Sequence, residues 1–321
     1  MRAVERERYG SAEVLRVGSR PEPEPTGDQV VVAVEAAGLN MADWHLMTGL
    51  PRVARFAFGL RVPHETGLGT DLAGTVVAVG PEVTTLRVGD RVLGAAEVAF
   101  ADRALSRERR LAVLPDHVPA DLAAAVPMAG TTALHALRTG RVVAGSRLLV
   151  LGAGGGVGSL TVQLAVRAGA EVTAATTPEK QDLLRGLGAH AVVDRTRPET
   201  LGTGYDAVVV TGGLTPLRRL RALLAPRGTL VLVGGEGGGT VLGGGLRLQA
   251  RATVLDPFVR QRLRTVLATE NPGDLGTLRD ALADGSLVPA IERHHPLADV
   301  AAAMTHLASG RARGKLVLDV S

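Results

Sequence analysis

The residues with the clearest chemical use lie together in Leu148–Gly169, LLVLGAGGGVGSLTVQLAVRAG. Leu148–Leu151 is an apolar run. Five of the seven residues Gly152–Gly158 are glycine, and Val157, Leu160, Leu164, Ala165 and Ala168 then share one helical face. A strand that bends on glycine into a helix N-terminus gathers backbone N–H groups at the positive end of the helix dipole, where they hold a pyrophosphate. The stretch therefore predicts a dinucleotide site. Ending the pattern on Gly158 gives Ala153-x-Gly155-x-x-Gly158, with Gly156 and Val157 between the last two glycines and alanine in the first glycine position. The alternative is a glycine-rich link between strand and helix that holds no ligand.

Composition removes several other chemistries. Cysteine is absent, which excludes disulfides, zinc ribbons and thiolate catalysis. The net charge is only +4, and the basic residues are arginines spread along the chain, Lys180 and Lys315 being the two lysines. With aromatics at 2% there is neither a basic stripe nor a stacking platform for nucleic acid. No apolar run is long enough to span a membrane, and the charged N-terminus MRAVERERYG lacks the apolar core of a secretory signal. A cytoplasmic location and a small-molecule substrate are the expectation.

The elements that must position the glycine turn come in two textures. From Arg2 to about Pro119 the chain reads as strands and turns: Gln29–Glu35 and Ala73–Val79 are rich in valine, and Gly, Pro and Asp punctuate the intervals. This predicts a β-rich, partly closed barrel. After Asp121 strands and helices alternate, with strands at Leu148–Leu151, Glu171–Thr176, Ala191–Asp194, Asp206–Val210 and Thr229–Val233. Thr177 caps a helix with Pro178 at its first position, and the turn Pro226–Gly228 stops a later one. That rhythm calls for an α/β doubly wound parallel sheet. Beyond Pro257 the chain reads as helical until a last strand, Leu316–Val320, which is expected to return to the first domain. The expected division is residues 1–120 completed by 260–321, with 121–259 forming the dinucleotide domain.

With these elements in order, the chain resembles the medium-chain dehydrogenase/reductase superfamily, and within it the zinc-independent quinone-oxidoreductase-like branch. The resemblance runs over essentially the full length. It rests on GLNMADW (Gly38–Trp44), LGTDLAGTVVAVG (Leu68–Gly80), VGDRVLG (Val88–Gly94), VPMAGTTAL (Val126–Leu134), LGAGGGVG (Leu151–Gly158), GTLVLVGG (Gly228–Gly235) and GRARGKLVL (Gly310–Leu318). It implies a Rossmann sheet plus a GroES-like β-rich catalytic domain. Zinc members carry a Cys and a Gly-His-Glu motif where this chain has Asn40 and Gly69-Thr70-Asp71, so no metal is expected. His64-Glu65 and His294-His295 are read as polar loop residues.

The coenzyme choice follows from the end of the second Rossmann strand, where a carboxylate would accept from the ribose 2′-hydroxyl and repel a 2′-phosphate. Glu171 opens that strand instead of closing it. Its end is Thr176-Thr177, followed by Lys180 and, after the third strand, Arg195. Hydroxyls with two cations make a phosphate pocket, so NADPH is expected.

The resemblance then implies direct hydride transfer to a quinone or an α,β-unsaturated carbonyl, with orientation and hydrogen bonding as the protein's contribution. Asn40 and Thr132 would border the nicotinamide and its ribose, and Thr211, Gly212, Gly234 and Gly235 would follow the cofactor. His45 stands where relatives commonly have a tyrosine. It would act as the proton donor, or else hydrogen-bond at the wall while water protonates the product. Asp43 would support the loop as an acceptor. Trp44, Phe56 and Phe58 would meet the substrate, Trp44 with core packing as its alternative and the last two from the entrance segment Arg52–Pro63. The short passage Leu93–Arg103 departs from the branch and leaves the substrate open, a polyketide-like compound included; a member that binds NADPH without turnover is the other alternative. Relatives are mostly homodimers joined at the Rossmann sheet edge, expected here at Thr229–Val233.

Overall fold

The computed structural model describes residues 1–234, 243–266 and 271–320. Contacts divide the chain into two compact units, Met1–Thr131 with Glu270–Ser321, and Thr132–Thr269.

The first unit is built on a seven-stranded sheet. In spatial order its strands are Ile291–Pro296, Lys315–Asp319, Gln29–Gly38, Asp71–Val79, Arg91–Ala95 and Leu111–Val113, with Arg103–Arg107 also pairing with Gln29–Gly38. The valine runs of Gln29–Gly38 and Asp71–Val79 suit a pleated, buried surface, and they pair antiparallel with Gly38 opposite Asp71. On its other side Gly38 faces Val317 of the C-terminal strand. A Cβ at Gly38 would press on the backbone of Ala124, so the helix Ala120–Ala124 packs against bare backbone there. Three strand ends consequently converge: Leu39-Asn40 leaving one strand, Thr70-Asp71 entering its neighbour, and Lys315 opening the last.

The second unit is a six-stranded sheet in the order Ala191–Asp194, Glu171–Thr176, Arg147–Leu151, Tyr205–Val210, Leu224–Val233, Arg262–Val266. All of its pairings are parallel. Numbered along the chain this is 3-2-1-4-5-6, the Rossmann order, whose direction reverses between Arg147–Leu151 and Tyr205–Val210. Leu148, Leu149 and Val150 are fully buried, as a central parallel strand covered on both faces requires.

Three expectations are corrected. The edge of the Rossmann sheet is Arg262–Val266, not Thr229–Val233, because a sixth strand pairs outside the fifth. The chain beyond Pro257 is therefore not simply helical: it holds this strand and Ile291–Pro296 besides the helices Pro272–Ala283 and Val300–Ala308. RLRTV alternates weakly and carries two arginines, which hid it. His294 and His295 belong to the strand Ile291–Pro296 rather than to a loop, with His294 beside Asp319 and Asp121. In addition, Pro226–Gly228 lies within the strand Leu224–Val233, where the register shifts against Tyr205 and Ala207.

Candidate active site

In the second unit the glycine turn is held from below. Gly152 has a φ of +84°, and a Cβ there would sit 2.8 Å from Thr211 Oγ1. Thr211 Oγ1 donates towards the carbonyls of Leu151 and Gly152, at 3.1 Å each, and ties the turn to the neighbouring strand end. Gly158 lets the helix Gly156–Arg167 close onto the turn: a Cβ would meet Ala153 Cα at 2.7 Å and Ala153 C at 2.9 Å. Ala153 is buried. Gly155 is extended, and its Cβ would meet nothing nearer than Gly152 O at 3.6 Å, so this residue faces open space. The result is a bare backbone cradle leading into a helix N-terminus, a fit for a pyrophosphate.

The end of the second strand lies against that cradle. A Cβ at Gly154 would be 2.7 Å from both Thr176 Oγ1 and Lys180 Cδ. The Arg195 N–H donates to Thr176 O at 2.9 Å, while the Arg195 side chain reaches towards Gly213. Thr176 and Lys180 are thus brought together at Gly154, Thr177 accepts the Lys180 N–H through its carbonyl, and Arg195 joins Thr176 through its backbone. Two carboxylates join them that sequence reasoning passed over. Glu179 is held below its ordinary pKa by its own backbone N–H and the Thr177 hydroxyl, and Asp194 by the hydroxyl and N–H of Thr196. At the ends of the next two strands Gly212, Gly213 and Gly234 line a small depression with Leu248 and Gln249. Gln249 Nε2 donates to Gly234 O at 2.5 Å. Gly235 lies outside the described residues. Thr132 is buried on the helix Pro127–Gly140.

In the first unit the converging strand ends build a buried polar cluster. Asp43 and Asp71 have no exposed surface, and Lys315 is 3% exposed. Lys315 Nζ donates to Leu39 O at 2.8 Å and to Asn40 Oδ1 at 2.6 Å, with Asp71 Oδ2 at 4.0 Å. An ammonium has no acceptor, so it fixes Asn40 with Oδ1 towards the lysine and Nδ2 away from it. Asp43 accepts from Asn40 N–H at 2.8 Å and from Thr70 Oγ1 at 2.9 Å. Burial, then the charge of Asp71, pushes the Asp43 carboxyl up to about 7 against the pull of these donors and Lys315. Burial also lowers Lys315, which both carboxylates oppose.

Asp43 and Asn40 are therefore together, and His45 follows on the same helix, Met41–Thr48. The His45 Nδ1 lies 2.6 Å from Leu50 O, which can only accept, so Nδ1 carries the proton. Burial pulls this imidazole below its ordinary pKa, which leaves it neutral at neutral pH with Nε2 as an acceptor. Trp44 packs edge-on against His45 and against the core. Phe56 is 78% and Phe58 42% exposed, on the short helix Arg55–Phe58. Lys315, Thr70 and Asp71 were not singled out as site residues in the sequence. The available signal was one of only two lysines opening an apolar strand.

A GroES-like β unit with a Rossmann sheet is the architecture of a two-domain dehydrogenase, and comparison with known proteins agrees. The family model for the alcohol dehydrogenase GroES-like domain matches residues 26–112, and that for zinc-binding dehydrogenase matches residues 187–318. The chain is 36% identical, over 92% of its length, to erythronolide synthase EryA2 of Saccharopolyspora erythraea, of which it spans 8%. It is 30% identical to the chloroplast envelope quinone oxidoreductase homolog of Arabidopsis thaliana, covering 99% of this chain and 98% of that one. A mycobacterial protein solved in complex with NADPH superposes over the whole of both chains with a TM-score of 0.85 at 30% identity. The chain belongs to the medium-chain dehydrogenase/reductase superfamily, in its zinc-independent, quinone-oxidoreductase-like branch. Among the described residues no three His, Asp or Glu gather into a metal-holding group. No described helix is long and apolar enough to cross a membrane.

Proposed function

We propose that the protein is an NADPH-dependent oxidoreductase acting on a quinone or an α,β-unsaturated carbonyl. The observation that carries the coenzyme reading is the uncharged strand end Thr176-Thr177 with Lys180 set against Gly154 of the cradle. Of the two carboxylates beside it, Asp194 is paired with Arg197 and bonded by Thr196, and Glu179 is bonded by Thr177. The mycobacterial relative with NADPH supports the same choice. When bound, the nicotinamide supplies a hydride to an electron-poor carbon.

The chain's own part is to bind and orient. Ala153, Gly155, Gly156, Val157 and Gly158 hold the pyrophosphate, and Thr176, Thr177, Lys180 and Arg195 take the 2′-phosphate. Thr211, Gly212 and Gly234 follow the cofactor, and Asn40 and Thr132 border its nicotinamide end. A neutral His45 with Nδ1–H committed to Leu50 O is suited to accepting a hydrogen bond, not to giving up a proton. Trp44, Phe56 and Phe58 supply apolar surface for the acceptor. A second reading, a pathway-specific reductase of polyketide-like substrates, is favoured by the 36% identity to erythronolide synthase. The strand Arg262–Val266, outermost on its side of the sheet among the described residues, offers the place for a homodimer, and the reading carries a cytoplasmic location with it.

The test is NADPH oxidation against a panel of quinones, enones and enoyl thioesters. Turnover of quinones or simple enones supports the first reading, and turnover confined to enoyl thioesters supports the second. Tight NADPH binding without any turnover overturns both. Lys180→Ala should weaken NADPH binding about tenfold, the value of a charge-assisted hydrogen bond, while NADH binding changes less than about twofold. Equal losses for both coenzymes would remove Lys180 from the phosphate pocket.

A further inference from the structure

We propose that Thr70 is the catalytic residue that hands the proton to the reduced substrate, with the buried Asp43 carboxyl behind it as the proton source. The inference rests on the reductase reading above, in which hydride addition leaves an anion that must be protonated.

Asp43 cannot touch a substrate, since none of its surface is exposed. One of its oxygens accepts the Asn40 N–H, and the other is joined to Thr70 Oγ1 at 2.9 Å. Thr70 is half-buried where Asp43 is fully buried, so of this bonded pair only Thr70 has exposed surface. A threonine hydroxyl alone is far too weak an acid to serve. Backed by a carboxylic acid, it can pass a proton on without ever becoming an alkoxide. The other candidates in the cluster are already engaged. Asp71 is fully buried, accepts the Met128 N–H with both oxygens at 3.1 Å and faces Lys315. His45 is neutral with its one proton given to Leu50 O.

In the step, the anionic oxygen or carbon of the reduced substrate takes the Thr70 hydroxyl proton as that O–H bond breaks. Thr70 Oγ1 takes the acid proton of Asp43 in the same movement, which leaves Asp43 as a carboxylate. After product leaves, water returns a proton to Asp43 through Thr70. Electrons move only with the hydride. The groups whose charge acts on Asp43 are Asp71 and Lys315, from the two strands that meet its turn, and Arg6 from the N-terminal segment. Their balance with burial brings the carboxyl to about 7, so it holds a transferable proton below that pH and has lost it above.

The experiment compares wild type, Thr70→Val and Thr70→Ser in the full chain. Wild-type kcat should fall as pH rises through about 7 and show a solvent deuterium effect. Thr70→Val should lower kcat about 100-fold and erase both the pH limb and the isotope effect, with NADPH affinity unchanged, while Thr70→Ser restores the limb. A Thr70→Val enzyme with wild-type kcat and pH profile overturns the proposal. The carboxyl titration of Asp43 in the cofactor-free protein, read by NMR, is independent of turnover. It should have its midpoint near 7 and move upward in Thr70→Val, because the charged form loses a donor. If no acceptor is turned over at all, the reductase reading fails. A carboxyl titrating near its ordinary 3.8, or unmoved in Thr70→Val, then overturns the relay separately.

Discussion

Gly158→Val should bind NADPH at least about 100-fold more weakly than wild type, a loss near 3 kcal/mol, in a fluorescence titration of the coenzyme. The added Cβ would meet the Gly152 carbonyl and approach Ala153 Cα to 2.7 Å, so every obstacle is backbone. No side chain can rotate away to make room. Either the helix Gly156–Arg167 lifts off the turn or the turn moves, and each displaces the N–H groups that form the cradle. The neighbouring Gly155→Ala separates binding from folding. Its backbone is extended, with φ −94°, and its Cβ would meet only Gly152 O at 3.6 Å, so thermal stability should stay near wild type. The methyl would nevertheless enter the space that a pyrophosphate needs, and affinity should fall. Wild-type NADPH affinity in both variants would mean that the coenzyme does not lie on this turn.

The contrast between the two units shows what a linear pattern can reveal. The Rossmann unit was legible because its signals are local: an apolar strand, a glycine turn and a helix face fall within Leu148–Gly169, and four further strands read as β-branched or valine-rich runs. Its sixth strand was not legible. Among the described residues Arg262–Val266 pairs on one side only, so its residues need not be apolar throughout, and two arginines break the pattern. Glu179 and Asp194 were missed for a different reason. Their relevance depends on which strand ends lie side by side, and Asp194 faces Thr176 only through the parallel pairing of two strands separated by a helix.

The cluster of the first unit is the least local feature of all. Lys315 reaches Asn40 across 275 positions of sequence. Asn40 and Asp43 were recognisable from their motif, yet nothing near them in the chain indicates a buried ammonium between the two aspartates. Nor could the tautomer of His45 be read in advance, since it is set by the Leu50 carbonyl folding back onto the ring. The motif pointed to Asn40, Asp43 and His45 but not to the helix Met41–Thr48 that carries Asp43 and His45 where a loop was expected, and it left the direction of proton flow open. The structure, by committing Nδ1–H and joining Asp43 to Thr70, supplies the basis for choosing one.

Lys315→Met should destabilise the first unit by about 3–5 kcal/mol, the usual cost of removing one partner from a buried ionic group, as followed by its urea unfolding transition. Methionine nearly matches the volume but donates nothing. Leu39 O and Asn40 Oδ1 would lose their donor, and Asp71 and Asp43 would face each other's charge without a cation between them. The loss should also depend on pH, with a definite sign. In the folded protein Asp43 titrates at about 7, above its ordinary 3.8, so the fold retains a proton that the unfolded chain releases in that window. That contribution is fully present below 3.8 and is lost as pH rises through about 7. Lys315 is among the groups that pull Asp43 down, and without it the carboxyl must move further up. The variant should therefore come nearest to wild type in mild acid, where Asp43 is protonated in both, and fall furthest behind above neutrality. Lys180→Met, at the other lysine, should change stability by less than about 0.5 kcal/mol at any of these pH values. A deficit in Lys315→Met that is independent of pH, together with an Asp43 carboxyl titrating near 3.8 by NMR, would mean that Asp43 stays ionised above that pH. It would take away the protonated carboxyl on which the Thr70 relay depends.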